Sequence, residues 1–236
     1  MTGDPWSELP RLFPQFSGAE RWLPLLVRHA ALVAGERAAG RLTAVTGDDV
    51  VLRQYGESLE LGRIAMEREP AAVLIDVGSG AGFPGLVIAA VAPEMRVHLV
   101  EPLAKRAAFL ARTVAELGLE NVAVHALRAE DAGRGPLRAT ADIVAARAVA
   151  PLPVLLEYAA PLARTGGLLA LAKGSGVAGE IAAAATATTA LSIGDIEVVP
   201  FRSLISEVIS ACVARKVAAT PERYPRRTGV PQKRPL

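Results

Sequence analysis

The sequence predicts an α/β protein in which a helical cap precedes a seven-stranded, mostly parallel sheet. Two observations carry this prediction. From Ala71 onward, short aliphatic or β-branched runs alternate with helical stretches, as in parallel sheets that are covered by helices on both faces. Before Ala71, apolar residues recur at helical spacing instead. We therefore divide the chain into an N-terminal helical cap (residues 1–70), a sheet domain (71–214) and a basic, Pro-rich C-terminal tail (215–236).

The cap is predicted from apolar residues spaced three or four apart. Because that spacing places side chains on one face of a helix, the cap should bury this face against the sheet domain. The face comprises Trp22, Leu25, Leu26, His29, Leu32 and Val33, and the pattern continues at Leu59, Ile64 and Ala65.

Seven strands are predicted, at Val73–Val77, Val97–Glu101, Val122–His125, Ile143–Ala146, Leu168–Ala172, Ile196–Val199 and Val208–Ala214. Helices fit between them at Leu86–Val91, Ala104–Leu117, Leu152–Ala163 and Gly179–Thr189. Only eight residues separate the last two strands, which is too few for a right-handed crossover. The seventh strand should therefore run antiparallel to its neighbour, beside six parallel strands.

Composition excludes several classes of protein. The chain has 236 residues, of which 51% are hydrophobic, so we expect one hydrophobic core with extensions. Only 4% are aromatic, so we do not expect a surface on which the bases of single-stranded nucleic acid stack. The single cysteine, Cys212, excludes an intramolecular disulfide and a cysteine zinc site. His29, His98 and His125 lie on different elements, so no metal site is expected. Without a signal sequence or a long apolar stretch, we expect a cytoplasmic protein with no membrane segment.

Charge is concentrated in the tail. Residues 215–236 hold seven Lys or Arg against one Glu, a net charge of +6, so the other 214 residues carry −4 within the total of +2. The four tail prolines disfavour helix and favour an extended strip of cations that could follow a phosphate backbone. A solvated, disordered tail is the alternative.

A glycine-rich loop, DVGSGAGFPG at Asp76–Gly85, joins the first strand to the next helix. Glycine allows a sharp turn and the close approach of a ligand. Leu86 stands where a Walker loop has its lysine, which excludes that class of phosphate site. A GxGxxG match beginning at Gly80 leaves an NAD(P)-dependent oxidoreductase as an alternative. However, Asp76 would repel a pyrophosphate and favours a cationic ligand such as S-adenosylmethionine.

Further acidic residues follow the second and third strands. Glu101 could accept hydrogen bonds from ribose hydroxyls, and the backbone of Ala129 and Glu130 could pair with an adenine edge. Helix capping is the alternative role for Asp76 and Glu101. The predicted cofactor contacts are Asp76, Gly78, Ser79, Gly80, Gly82, Glu101, Ala129 and Glu130.

Six segments carry a resemblance to a known family: Asp76–Gly85, Lys105–Leu110, Ala129–Glu130, Ala146–Leu152, Leu171–Gly174 and Tyr224–Leu236. In this order they resemble the bacterial 16S rRNA guanine-N7 methyltransferases, the RsmG or GidB (glucose-inhibited division protein B) family. The resemblance implies a class I, Rossmann-like S-adenosylmethionine-dependent methyltransferase fold. It also implies an enzyme that methylates a guanosine in the 530 loop, on 16S rRNA or on a small ribosomal subunit precursor. We expect this enzyme to be a monomer.

The resemblance also assigns residues. It implies contacts to S-adenosylmethionine at Gly78, Phe83, Glu101, Ala129, Glu130 and Arg147. The family commonly has an Arg-His pair before an acidic-Ser-Leu stretch, whereas this chain has Arg53 followed by Gln54. Arg53 and Ser58 keep the RNA-binding positions, and the role of the missing His is left open.

The residues after the fourth strand agree with N7 chemistry. Enzymes that methylate exocyclic amines usually place Asn or Asp-Pro-Pro-aromatic there, but this chain reads Ala145–Ala148. Cytosine C5 transfer needs a nucleophilic cysteine, and Cys212 lies in a predicted strand. Guanine N7 has a free lone pair, so positioning can suffice.

Two residues are candidates for catalysis. We hypothesise that Arg147 orients the methionine carboxylate or the guanine edge, and that Lys173 holds phosphate. A salt bridge is the alternative for Arg147, and a solvated strand end is the alternative for Lys173. The alternative function is a noncatalytic rRNA-binding or assembly factor on the same fold. The predicted RNA contacts are Arg53, Ser58, Lys173, Arg226, Arg227, Lys233 and Arg234.

Overall fold

The computed structural model describes residues 4–38, 50–70, 72–202, 205 and 208–236. Parts of the predicted cap, residues 1–3 and 39–49, and the predicted boundary at Ala71 lie outside these ranges. The cap is helical, as predicted. It comprises α1 (Pro5–Leu12), α2 (Ala19–Ala38), a π-helical turn (Val51–Gly56) and α3 (Glu57–Arg68).

The apolar face of the cap packs against the glycine loop and the helix that follows it. Trp22 and Leu26 of α2 share a buried cluster with Tyr55 of the π-helical turn. Phe83 and Val87, which follow the first strand, complete that cluster. The cap is thus fixed beside the loop that the sequence singled out.

The sheet has seven strands: β1 (Val73–Val77), β2 (Arg96–Val100), β3 (Val122–His125), β4 (Ala141–Arg147), β5 (Ala163–Lys173), β6 (Glu197–Pro200) and β7 (Ser210–Arg215). Their spatial order is β3-β2-β1-β4-β5-β7-β6. Neighbours among β1–β5 are parallel, whereas β7 lies antiparallel between β5 and β6. The prediction of six parallel strands and an antiparallel seventh is confirmed.

Helices cover both faces of the sheet. They are α4 (Gly85–Val91), α5 (Ala104–Leu117), α6 (Ala129–Ala132), α7 (Leu152–Ala159), α8 (Val177–Ala183), α9 (Ala185–Ala190) and α10 (Val230–Lys233). One buried cluster joins α7 and α9 to the sheet, and another joins α3, α4 and α5 to its other face. The carboxyl ends of β1, β2 and β4 consequently meet at one edge, the usual ligand position in such sheets.

Some element boundaries differ from the prediction. The helix predicted over Leu152–Ala163 ends at Ala159, because β5 begins at Ala163 and pairs there with Ala141. The helix predicted over Gly179–Thr189 is divided at Ala184, which is fully buried. Helix α6 was not predicted, since four residues are too few to show a helical period.

The extended tail predicted from its prolines is wrong. Tyr224 is buried in the cluster beneath α7, and Arg138 donates to the carbonyl oxygens of Tyr224 and Thr220 at 2.8 and 2.7 Å. Pro231 lies in the first turn of α10, where proline's missing N–H removes no helical hydrogen bond. The tail is therefore folded onto the sheet domain.

Candidate cofactor and substrate site

The glycine loop begins with a close approach of two backbone segments. Gly78 follows β1 with φ +73° and donates its N–H to the Val100 carbonyl at 2.8 Å. A Cβ at this position would lie 2.7 Å from Cγ2 of Val149, which follows β4. Only glycine satisfies both the left-handed φ and this contact, so Gly78 sets the width of the cleft between β1 and β4.

Asp76 lies at the end of β1 and is fully buried. One carboxylate oxygen, Oδ2, accepts the N–H of Gly85 at 3.0 Å and so caps α4. The other, Oδ1, is buried without a hydrogen-bond partner among the described residues. Burial raises the pKa of Asp76 to about 7. A buried oxygen with no donor suits a ligand that brings its own donor or positive charge.

Glu101 lies just beyond the end of β2 and is 2% exposed. Its two oxygens accept the N–H groups of Gly80 and Leu103, each at 2.9 Å. Glu101 therefore fixes the glycine loop to the segment after β2. Because each carboxylate oxygen accepts two hydrogen bonds, Glu101 retains the capacity for a ribose hydroxyl.

Two cavities meet at Gly78. The larger, of about 620 Å³, lies between the glycine loop, α2 and the end of β4; we call it the loop cavity. The second, of about 450 Å³, lies beyond the ends of β1, β2 and β3; we call it the β3 cavity. The two adjoining cavities form one groove, which seven of the ten predicted cofactor residues line. Ser79, Gly80, Phe83 and Arg147 line the loop cavity, Ala129 and Glu130 line the β3 cavity, and Gly78 lines both.

Arg147 ends β4 and connects the sheet to the cap. Its Nη1 donates to the Arg53 carbonyl at 2.7 Å and to Glu57 Oε2 at 3.1 Å, and its Nη2 donates to the side-chain oxygen of Gln54. The guanidinium lies 5.3 Å from the centre of the Phe83 ring. Gln54, which stands where the family commonly has His, therefore holds Arg147. The salt bridge considered from the sequence is present, at the mouth of the predicted site.

A third cavity, of about 350 Å³, lies between the cap and the ends of β4 and β5, and we call it the β5 cavity. Arg53, Arg147 and Lys173 line it. Lys173 is not a solvated strand end, because its Nζ donates to the Ala150 carbonyl at 2.9 Å and pairs with Glu180 at 2.6 Å. Its charge is therefore already balanced by a carboxylate.

A histidine that the sequence presents as structural braces the glycine loop. His29 is fully buried; its Nε2 lies 2.8 Å from the Ala81 carbonyl and its Nδ1 3.0 Å from the Tyr55 hydroxyl. Burial lowers the pKa of His29 to about 4. The neutral ring therefore donates from Nε2 and accepts at Nδ1. Gly82 packs against this ring and, like the buried Asp76 and Glu101, supports the cavities without lining them.

Two predicted RNA contacts require correction. Ser58 is fully buried, and its hydroxyl donates to the Gln54 carbonyl at 2.6 Å, so it is a helix residue inside the core. Arg226 is held by the buried carboxylate of Glu157, with Nη2 and Oε2 2.6 Å apart. Neither burial nor pairing with an acid distant in sequence is visible in a local pattern. The other predicted tail cations, Arg227, Lys233 and Arg234, are exposed, as is Arg53.

Two arginines to which the sequence assigned no role line the loop cavity. Arg37 lies near the end of α2 and Arg106 near the start of α5. Neither makes a hydrogen bond or an ion pair within the part of the chain that the structure describes. A helical pattern marks both as ordinary surface cations, and only the packing of α2 beside α5 brings them together.

Elsewhere, His98 Nδ1 and His125 Nε2 lie 2.9 Å apart on neighbouring strands. Within the described ranges, no three His, Cys, Asp or Glu side chains are grouped as metal ligands. No helix in the same ranges combines the length and the apolar character needed to cross a membrane.

Comparison with known sequences agrees with this geometry. The family model for "rRNA small subunit methyltransferase G" matches residues 24–207. A ribosomal RNA small subunit methyltransferase G from Roseiflexus sp. (strain RS-1) is 41% identical over 219 residues, which cover 92% of this chain and 93% of that protein. Its counterpart from Carboxydothermus hydrogenoformans is 39% identical over 236 residues, covering 98% of this chain and 99% of that protein.

Comparison with solved structures concerns the fold alone. A SAM-dependent methyltransferase from Aquifex aeolicus superposes with a TM-score of 0.55 at 17% identity, covering 72% of this chain and 94% of that one. A SAM-dependent O-methyltransferase from Thermotoga maritima gives 0.53 at 18% identity, covering 79% and 72%. The predicted class I, Rossmann-like methyltransferase fold is confirmed.

Proposed function

The chain belongs to the rRNA small subunit methyltransferase G family, and from this premise we propose that it methylates N7 of one guanosine in the 530 loop of 16S rRNA, using S-adenosylmethionine. One observation carries the proposal. The fully buried Asp76, with one oxygen unpaired among the described residues, lies under the glycine loop and close enough to Arg147 for the two charges to interact. This arrangement combines a site for a cationic nucleoside ligand with an opening toward the cap.

The residues at the groove fit S-adenosylmethionine, which when bound supplies an electrophilic methyl group on a sulfonium. Asp76 would balance its positive charge through Oδ1. Glu101 would accept from the ribose hydroxyls, and the backbone of Ala129 and Glu130 would meet the adenine edge in the β3 cavity. Gly78, Ser79 and Gly80 leave room for the methionine portion in the loop cavity.

Arg147 would position the two reactants. Glu57, Gln54 and the Arg53 carbonyl hold its guanidinium, so its orientation is set before any ligand binds. It lines the loop cavity on one side and the β5 cavity on the other. We assign it to the methionine carboxylate or to the guanine edge. Lys173, which is fixed by Glu180, would shape the β5 cavity where the guanosine enters.

Methylation at N7 requires no further catalytic group from the protein. The N7 lone pair is free and no proton leaves, so neither a general base nor a nucleophile is needed. Cys212 lies in the middle of β7, it is 2% exposed, and burial raises the pKa of its thiol to about 11. It is therefore a protonated core residue at neutral pH and excludes a cysteine-dependent transfer to cytosine.

We assign the RNA path to cations around the loop cavity. Arg37 and Arg106 line that cavity without a partner within the described chain, and Arg53 is exposed at the adjoining β5 cavity. The exposed tail residues Arg227 and Lys233 would extend this path along the phosphate backbone, together with Arg234. The substrate would be 16S rRNA or a small ribosomal subunit precursor, bound by a cytoplasmic monomer without any membrane partner.

A noncatalytic assembly factor on the same fold is the alternative. Capping of α4 uses one oxygen of Asp76, and a protein that only bound RNA would have no use for the second oxygen, which is buried and unpaired among the described residues. The complete cofactor groove therefore favours the enzyme. A nicotinamide oxidoreductase is disfavoured by the same carboxylate, which would lie close to a pyrophosphate.

Mass mapping of modified guanosines in small-subunit rRNA tests the proposal. A strain that lacks the protein should lose N7 methylation in the 530 loop. The wild-type chain and a surface control, Glu20→Gln, should restore it, whereas Asp76→Ala should not. Methylation that persists unchanged in the deletion strain would contradict the substrate assignment.

A further inference from the structure

The C-terminal segment, defined as residues 226–236, is anchored at two buried acidic side chains. The backbone N–H, Nε and Nη2 of Arg226 donate to the Glu157 carboxylate at 2.7, 2.9 and 2.6 Å. Three residues further on, the N–H of Gly229 donates to Glu130 Oε1 at 2.9 Å. Glu157 and Glu130 are 0% and 2% exposed, so neither contact is a loose surface interaction.

Beyond these anchors, the C-terminal segment forms part of the β3 cavity wall. Gly229, Gln232 and Lys233 line that cavity. Gly78, Ala129 and Glu130, which we assign to the cofactor, line it as well. Glu130 therefore faces the predicted adenine position and also holds the C-terminal segment in place.

The same segment also presents positive charge to solvent. Arg227, Lys233 and Arg234 are exposed, and they lie within eight residues of one another. A segment that exposes three cations and also lines a cavity, with Lys233 belonging to both groups, is placed to contact two ligands at once.

We propose that the C-terminal segment is a wall of the cofactor cavity, and that RNA bound to its exposed cations strengthens cofactor binding. This inference rests on the proposed function, since it takes the β3 cavity as the adenosine position. RNA phosphates neutralise the repulsion among Arg227, Lys233 and Arg234 and hold the segment in its anchored conformation. Because the segment is then already ordered, cofactor binding costs less of the protein's conformational entropy. Because such coupling is reciprocal, bound cofactor strengthens RNA binding by the same factor.

A pair of glycine substitutions tests whether the C-terminal segment is a wall of the cofactor cavity. Gly229 and Gly118 both have a left-handed backbone, with φ +80° and +65°, and both have open space where a Cβ would lie. Alanine therefore imposes a similar local strain at both positions without a steric clash. Gly229 lies at the anchor, whereas Gly118 ends α5 and lines neither the loop cavity nor the β3 cavity.

Calorimetric titration of S-adenosylhomocysteine into both full-length variants gives the readout. Gly229→Ala should weaken binding about tenfold, and Gly118→Ala should remain within about twofold of the wild type, with similar losses of Tm. If Gly229→Ala binds like the wild type, or if both variants weaken equally, the C-terminal segment is not a wall of the cofactor cavity. Gln232→Ala/Lys233→Ala, which introduces no backbone strain, should also weaken binding, and an unchanged affinity would overturn the proposal.

Repeating each titration with a saturating 530-loop RNA hairpin tests whether bound RNA strengthens cofactor binding. The hairpin should tighten S-adenosylhomocysteine binding by about fivefold or more in the wild type and by less in Gly229→Ala. An equal factor in both proteins would contradict the coupling.

The outcomes also separate this inference from the proposed function. A wild-type protein that binds no S-adenosylhomocysteine would refute the proposed function. A wild type that binds it and methylates rRNA, alongside an unaffected Gly229→Ala variant, would refute only the inference about the C-terminal segment.

Discussion

Arg226 and Glu157 form an ion pair in which the arginine remains partly exposed and the carboxylate is completely buried, with Nη2 and Oε2 2.6 Å apart. In the sequence, Arg226 is one of a row of tail cations that a polyanion would attract. In the structure, its charge balances an acid of α7 that lies 69 residues away. The main role of this contact is therefore to stabilise the fold, and not to bind RNA.

Arg226→Ala should destabilise the protein by about 3–5 kcal/mol, because it removes the guanidinium and leaves the buried Glu157 carboxylate with only the backbone N–H of residue 226. Urea unfolding at pH 7 measures this change. Arg227→Ala, the exposed neighbour, should change the free energy of unfolding by less than about 0.5 kcal/mol. Replacing both partners, as Arg226→Met/Glu157→Leu, should recover most of the loss. Equal, small effects of the Arg226 and Arg227 substitutions would mean that the pair contributes little.

Asp76 predicts a pH dependence of cofactor binding. Burial raises its pKa to about 7 in the folded protein, so the carboxyl is protonated below that pH. The cationic cofactor favours the ionised form, and binding below pH 7 must therefore release a proton. Affinity for S-adenosylmethionine should fall up to about tenfold per pH unit below 7 and level off above it. Calorimetry between pH 5.5 and 8.5 measures the dependence, and Asp76→Asn should bind weakly with a flat profile.

The raised pKa of Asp76 also affects the stability of the ligand-free protein. In the folded state the pKa of Asp76 lies above its unfolded value of about 3.9, so the folded state binds more protons between pH 4 and pH 7. The contribution of Asp76 to stability is therefore present at low pH and is lost as pH rises through 7. Asp76→Asn should be more stable than the wild type at pH 8. A less stable variant at that pH would contradict the assigned ionisation.

The sequence predicted the sheet well, for identifiable reasons. Strands β1 and β3 and helix α5 match their predicted bounds, since each is a local pattern of aliphatic residues between turn signals. The antiparallel β7 followed from the short connection before it. The glycine loop was found because its glycines and Asp76 adjoin in the chain.

The rest of the site depends on contacts between distant segments. Gln54 meets Arg147 across 93 residues, and Glu157 meets Arg226 across 69. No local pattern encodes the pairing of Arg226 with Glu157, so the sequence predicts Arg226 as an RNA contact. It likewise predicts Lys173 as a phosphate contact, although Glu180 pairs with it. His29 was recognised as a core residue, but its role in bracing the glycine loop depends on Tyr55 from another element.

His29 and Tyr55 together predict how the cap stabilises the glycine loop. Tyr55→Phe removes the hydroxyl that donates to His29 Nδ1 at 3.0 Å and leaves a buried acceptor unpaired. We expect a loss of about 1–3 kcal/mol in urea unfolding at pH 7.5. Tyr224→Phe is the matched control, because the Tyr224 hydroxyl makes no hydrogen bond within the described residues. Comparable losses for both variants would contradict a specific role for the His29 contact.

The pKa of His29 makes the stability of the protein depend on pH. Burial lowers this pKa to about 4 in the folded protein, below the unfolded value of about 6.5. The unfolded state thus binds more protons between these values, and stability is lost as pH falls from 6.5 toward 4, by up to about 1.4 kcal/mol per unit. Replacing His29 with Gln should flatten this part of the curve. An unchanged slope in His29→Gln would show that other groups cause the loss.

Arg37 and Arg106 provide a test of the RNA path that is independent of the tail. Both line the loop cavity without a partner in the described chain, so each can release a counterion when a phosphate binds. Arg37→Gln and Arg106→Gln should each reduce the slope of log K for 530-loop RNA against log salt by about 1, and the double variant by about 2. Arg112→Gln is the matched control, because Arg112 lies on α5 like Arg106 but is paired with Glu36 at 3.2 Å; it should leave the slope nearly unchanged. S-adenosylhomocysteine affinity must also be measured for each variant. A loss of that affinity with an unchanged salt slope would assign these arginines to the methionine carboxylate instead of to RNA.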